Sequence, residues 1–263
     1  MNKNKWIEQF DRIILNSSTR ELYDQEPFFN VGYWSEDTDN QQQACLDLME
    51  KLLAFIPDKQ GKILDVGCGL GATTNYLSKY YDPKNIIGIN ISPQQLEQAK
   101  IYAPNCQFIL MDAVKMAFED NSFQNIICVE AAFYFDTRED FLREARRVLK
   151  PGGKLIMADM FFATTEYLGG DILIPQVNII NSLEDYKDLY QQAGFESVEL
   201  LEVTEECWFK HFRYMQTWLD EDLQAGKINE QEYDFNVKAI EGLLSTSVNN
   251  YCLVCATKVG RQN

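Results

Sequence analysis

Between Lys62 and Met160 five short apolar runs recur, "KILDV", "NIIGIN", "CQFILM", "FQNIICVE" and "GKLIMADM", each bounded by Gly, Pro, Asn or Asp. They are partly β-branched and apolar at successive positions, the pattern of strands buried on both faces. Between them lie stretches of helical period, "TTNYLSKYY", "SPQQLEQAKIYA" and "REDFLREARRVL". The last carries Phe141, Leu142, Ala145, Val148 and Leu149 on one stripe and stops at Lys-Pro-Gly-Gly. Such alternation requires a parallel sheet with helices on both faces. The expected fold class is therefore α/β: a Rossmann-like, doubly wound, seven-stranded sheet whose last two strands are "SVELLEV" and "NYCLVCATKV".

Two segments break that rhythm. Residues 1–60 hold two helical patterns around the aromatic "EPFFNVGYWSED", and they read as an N-terminal helical lid on an α/β core spanning 61–204. Residues 205–249 are aromatic and helical, and they separate the last two strands. They read as a helical cap inserted over the sheet's carboxyl edge, where open α/β folds bind ligands. Residues 250–263 then return as the final strand of the core.

Charge narrows the range of partners. The formal charge of −16 repels phosphate backbones and anionic membrane surfaces, and Arg143, Arg146 and Arg147 are spaced like one solvated helix face. No nucleic-acid partner is expected. The N-terminus lacks the apolar core of a signal peptide and no run is long enough to span a bilayer, so no membrane insertion is expected. The seven cysteines are scattered, and Cys252-x-x-Cys255 falls inside a strand-like run rather than at a helix start. The expectation is a cytoplasmic protein, monomer or homodimer.

Gly67, Gly69 and Gly71 follow the strand-ending Asp65 as G-x-G-x-G. A dinucleotide site wants a third glycine one residue later and an acid ending the second strand. Here that strand ends at Asn90, and the acid precedes the glycines, where it repels a pyrophosphate and favours a cation.

With "ILDVGCGLGATT", "IIGINISPQQLEQAK", "QFILMDAVKMAFEDNSFQNIICVE" and "REDFLREARRVLKPGGKLIMAD" in order, the chain resembles the class I methyltransferases that use S-adenosylmethionine. "GYW" at 32–34 and the form G-I-N-I-S-x-x-Q resemble the branch that methylates small molecules such as sugars, sterols, tocopherols and terpenoids. The resemblance implies S-adenosylmethionine as cofactor, S-adenosylhomocysteine as product, and 61–204 as the cofactor-binding core. It also implies residue roles. Asp65 would anchor the cofactor's amino-acid end, directly or through water, with Gly67 and Gly69 letting the methionyl part lie against the backbone. Much of the family holds the ribose diol with an acid at position 90; this chain offers Asn90, with Gln95 as a second contact. Ile91 would pack on the adenine, Asp112 would accept from its amine, and the Ala113 amide would donate to the ring. Tyr33, beside Trp34, would close over the methionyl end.

Methyl transfer needs positioning, plus a base where the acceptor is a hydroxyl or an ammonium. Glu130, at the end of the fourth strand, is the leading candidate, since that strand end faces the methyl in related enzymes. Relatives often place a His shortly after it, where this chain has Phe133 and Tyr134, so Tyr134 is a further catalytic candidate. His211, the chain's one histidine, is the second choice of base. No metal is expected, since the spacing of Asp136, Asp159 and Glu166 does not bring them together. Nine aromatics, Phe28, Phe29, Phe133, Tyr134, Phe135, Phe161, Phe162, Trp208 and Trp218, are expected around the opening, which implies a small-molecule acceptor with apolar or aromatic area. The acceptor atom is expected to be O or N. The alternatives are an alkene carbon, methylated through a carbocation that Glu130 and aromatic faces stabilise, and a nicotinamide-dependent oxidoreductase, which Asn90 and the early third glycine oppose.

Overall fold

The computed structural model describes residues 3–16, 21, 23, 26–167, 172–246 and 248–260. Positions 261–263 of the expected final strand and the side chain of Glu166 lie outside the described residues.

The five apolar runs form β1 (Ile63–Val66), β2 (Ile86–Asn90), β3 (Gln107–Leu110), β4 (Phe123–Val129) and β5 (Leu149–Phe162). A two-stranded ribbon, β6 (Glu166–Tyr167) and β7 (Ile172–Leu173), follows. After it come β8 (Ser197–Glu202) and β9 (Val248–Thr257). The main sheet has seven strands in the order β3-β2-β1-β4-β5-β9-β8. The first five pair in parallel, with Ile63 of β1 opposite both Ile86 and Asn125. β9 runs antiparallel to both β5 and β8. The cause is topological: the chain leaves β8, spends 205–246 in helices and re-enters from the same edge, so the next strand must run the other way.

Eight α-helices are described: α1 (Lys3–Ile14), α2 (Gln41–Ala54), α3 (Ala72–Leu77), α4 (Pro93–Tyr102), α5 (Arg138–Val148), α6 (Leu183–Gln192), α7 (Lys210–Gln224) and α8 (Glu230–Thr246). Their starts follow cap chemistry. Asn40, Ser92, Thr137 and Ser182 each accept a backbone N–H from three residues on, satisfying a donor that the helix itself cannot. Side-chain alternation along the strands feeds two cores, one on each face of the sheet. Ile127 and Ile156 face the side packed by α2, while Ile126, Cys128, Leu155 and Met157 face the side packed by α5. Cys252 and Cys255 are buried in β9, as a strand reading of "YCLVCATK" requires.

The helices at 205–246 follow β8 and pack on the N-terminal segment. The backbone N–H of Trp34 donates to the Glu206 carbonyl at 2.9 Å and Lys210 Nζ donates to the Trp34 carbonyl at 2.8 Å. The Trp34 ring lies 4.6 Å from that of Tyr214. Among the described residues no helix is long and apolar enough to cross a membrane.

Candidate active site

β1 ends in a turn that only glycine can make at its first corner. Gly67 has φ +73°, and a Cβ there would come within 2.6 Å of the Ala131 Cβ. Its N–H donates to the Ile89 carbonyl at 2.9 Å, which fastens the turn to β2. The result is a cavity at the carboxyl ends of β1, β2, β3 and β4, with about 1190 Å³ of open space counting its mouth. Gly67 and Gly69 form one wall; Asn90, Ile91 and Gln95 form a second, after β2; Asp112 and Ala113 follow β3, and Glu130 and Tyr134 follow β4. Ile7, Phe10 and Ile14 of α1 and Phe28, Phe29 and Asn30 complete the enclosure.

Glu130 is held firmly. Its Oε1 accepts the Val31 N–H at 2.9 Å and the Tyr251 hydroxyl at 2.7 Å. Burial pushes its carboxyl up to about 7 from the ordinary 4.5, against the opposing pull of those two donors. The Tyr134 ring sits 5.2 Å from Phe10 and 4.2 Å from Phe133.

The second wall is a hydrogen-bonded chain. Asn90 Nδ2 donates to Gln95 Oε1 at 2.9 Å, and the Ser92 N–H donates to Asn90 Oδ1 at 3.1 Å. Gln95 Nε2 donates to Asp11 Oδ1 at 2.6 Å, and Ser92 Oγ donates to Asp11 Oδ2 at 2.9 Å. Asp11, on α1, is buried there at 4% exposure.

Three sequence-predicted residues lie outside the cavity wall. Asp65 is buried beneath the glycine turn, where its Oδ2 accepts the Thr74 hydroxyl at 2.6 Å and burial raises its carboxyl to about 7. Tyr33 lines an outer groove, with Lys51 Nζ 4.6 Å from its ring centre. His211 is buried, its Nδ1 2.8 Å from Gln41 Oε1, and desolvation lowers its pKa to about 3. It braces the wall from behind, since Gln41 Nε2 donates to the Asn30 carbonyl at 2.9 Å.

The aromatic expectation is corrected for five of its nine residues. Phe133, Phe161, Phe162 and Trp208 are fully buried in the core, and Trp218 packs against it; Phe161 and Phe162, adjacent on β5, enter the two cores on opposite faces of the sheet. Phe28, Phe29, Tyr134 and Phe135 do line the cavity. Asp159 is engaged by Arg138 Nε at 2.9 Å and by the Tyr186 hydroxyl at 2.7 Å.

A glycine turn after the first strand of a seven-stranded sheet ordered 3-2-1-4-5-7-6, with a cavity at its carboxyl edge, defines the class I methyltransferase architecture. Residues 64–157 match the family described as "Methyltransferase domain". The chain is 31% identical to the O-methyltransferase rstn1 of Aspergillus nomiae, over 67% of this chain and 84% of that protein. It is also 31% identical to the O-methyltransferase cnsE of Penicillium expansum, over 68% of each. Its fold is similar to that of geranyl diphosphate C-methyltransferase from Streptomyces coelicolor, solved with Mg2+, geranyl diphosphate and S-adenosyl-L-homocysteine, at a TM-score of 0.68 and 14% identity over 97% of this chain and 98% of that one. The chain belongs to the class I S-adenosylmethionine-dependent methyltransferases that act on small molecules.

The cavity's chemistry fits that cofactor. Among the described residues no Lys, Arg or His lines it, while Asp112, Glu130 and Asp136 do, a set that suits a sulfonium and an ammonium and not a pyrophosphate. Sequence reasoning missed Asp11, Ser92, Asn30 and the apolar face of α1. The signal for Asp11 was available: it sits between Ile7 and Ile14 at helical spacing, an acid on an otherwise apolar stripe.

Proposed function

We propose that the enzyme transfers a methyl group from S-adenosylmethionine to an oxygen of a small, partly apolar metabolite, with Glu130 as the general base. The observation that carries this is Glu130 itself. It lines the cavity at the end of β4 with a carboxyl raised to about 7, the range in which a base accepts a proton at neutral pH and passes it on. Both donors that reach it bond Oε1, so among the described residues Oε2 carries no hydrogen bond and is left for an acceptor hydroxyl. Oxygen is favoured over nitrogen because both relatives described above are named O-methyltransferases.

Bound S-adenosylmethionine supplies an electrophilic methyl group on sulfur. The chain's residues then divide the work of binding it. Gly67 and Gly69 admit the methionyl part, with Asp65 acting through water from beneath the turn. Asn90 and Gln95 take the ribose diol, Ile91 the adenine face, and Asp112 with the Ala113 amide the adenine edge. Tyr134, Phe28, Phe29 and Phe135 enclose the acceptor and exclude water around Glu130. The wall of α1 and 28–30 serves as the lid, and 205–246 buttresses that lid from outside.

The test is incubation with methyl-labelled S-adenosylmethionine and an extract of small metabolites, with products read by mass spectrometry and Glu130→Gln alongside. The expected product is a methyl ether whose formation falls by 10²–10⁴-fold, in order of magnitude, in the variant. A product methylated on carbon, or undiminished turnover by the variant, would refute the reading.

A further inference from the structure

We propose that Asp11 is a positioning residue for cofactor recognition: from α1 it sets the donor and acceptor order of the Gln95–Asn90 pair, and so replaces from another element the acid that position 90 lacks. This rests on reading that corner as the ribose site.

The argument is one of hydrogen-bond accounting. An ionised carboxylate only accepts. Asp11 takes the Ser92 hydroxyl on Oδ2 and a Gln95 amide N–H on Oδ1, so the side of Gln95 facing α1 must be its NH2. Gln95 Oε1 then points the other way and accepts from Asn90 Nδ2. Asn90 Oδ1 is thereby aimed at the Ser92 N–H, with its second lone pair unspent. Each assignment forces the next, and the chain starts from the one member whose polarity is fixed. What the corner offers the cavity is an amide oxygen able to accept and amide hydrogens able to donate. A vicinal diol, each hydroxyl of which donates and accepts, is the ligand chemistry this matches.

Placement adds a second consequence. Ile7, Phe10 and Ile14 of the same helix line the cavity. The carboxylate that orders the corner therefore also seats α1 over it, so closing the wall and presenting the diol site are one event.

A merely structural latch and a positioning residue predict different binding behaviour. The probes are S-adenosylhomocysteine and its 2′,3′-dideoxyribose analogue, with dissociation constants measured by calorimetry. In Asp11→Asn the new amide can donate to Gln95 Oε1 and reverse the chain. Affinity for S-adenosylhomocysteine should fall on the order of tenfold while affinity for the dideoxy analogue stays unchanged. In the double variant Asp11→Asn/Gln95→Glu the introduced amide donates to the introduced carboxylate, which again accepts from Asn90, and discrimination for the diol should return. Equal loss for both ligands, or no recovery in the double variant, would overturn the proposal. Asn90→Ala separates this from the underlying reading: if it leaves diol discrimination intact, the ribose is not bound at this corner and both inferences fall together.

Discussion

At Glu130 the backbone adopts φ +49°, a left-handed conformation that costs a non-glycine residue roughly 1–3 kcal/mol. The surrounding bonds from Val31 and Tyr251 hold it there, and the strain coincides with the carboxyl placed on the cavity wall. Its raised pKa has a kinetic sign. A base must be ionised, so kcat should rise with pH through about 7 and level off above it. In Glu130→Gln that rise should vanish while cofactor affinity stays within a few-fold; stopped assays from pH 5.5 to 8.5 decide it, and an unchanged profile would move the base elsewhere. His211 carries the opposite sign. Buried and neutral in the fold, it protonates only near pH 3, whereas in the unfolded chain it protonates near 6.5. Between those values the unfolded state binds the extra proton, so its contribution to stability is lost as pH falls from 6.5. His211→Asn should cost roughly 1 kcal/mol at pH 7 through a weakened Gln41 bond, and the gap to wild type should narrow by pH 5 in urea titrations. A constant gap would mean the imidazole is not held neutral.

Between elements, Glu130 joins three parts of the chain: β4, which carries it, the 28–31 segment through Val31, and β9 through Tyr251. The Tyr251 hydroxyl favours the ionised carboxylate, so removing it should raise the pKa further. Tyr251→Phe, isosteric and in a buried strand, should shift the midpoint of the pH–kcat curve to higher pH, whereas loss of packing alone would lower kcat without moving the midpoint. This coupling explains part of what the sequence could and could not disclose. The strands were legible because β-branched runs buried on both faces have few other uses, and α5 because its stripe is unbroken. α6 was not, since its buried face consists of tyrosines, Tyr186 and Tyr190, whose hydroxyls are satisfied at Asp159 and at each other. The antiparallel course of β9 depends on where the helical insertion returns the chain, and no local pattern encodes it. Gly67, Asn90, Asp112 and Glu130 could be placed at the cavity because strand ends fix them, and Gln95 because it lies in the first turn of the helix that follows β2. His211, Tyr33 and Asp11 could not, because packing between helices and the 28–34 segment decides which way each one faces.

Across the whole molecule, a chain of charge −16 holds two acids half-ionised at neutral pH, Asp65 and Glu130, each raised to about 7 by burial. In the unfolded state both titrate near 4, so from about pH 5 to 7 the folded state binds more protons than the unfolded one. Their contribution makes stability fall as pH rises through that window, and beyond pH 7 both are ionised. A ligand that brings positive charge to these groups reverses the penalty. S-adenosylmethionine carries a sulfonium that S-adenosylhomocysteine lacks, so the two ligands differ in charge at the sulfur. The stabilisation conferred by S-adenosylmethionine should therefore grow with pH relative to that conferred by S-adenosylhomocysteine. Paired thermal-shift titrations at saturating ligand should show the difference in Tm between the two complexes widening from pH 5.5 to 8, with most of the change centred near 7. Asp65→Asn and Glu130→Gln should each remove part of that widening. A difference that stays flat with pH would separate these acids from the sulfonium and place the cofactor's charge beyond their reach. A widening assigns them a second role: the ionised acids hold the sulfonium before transfer, and as the sulfur becomes neutral Glu130 takes the acceptor's proton, so the attraction that held the substrate's charge is absent from the product complex.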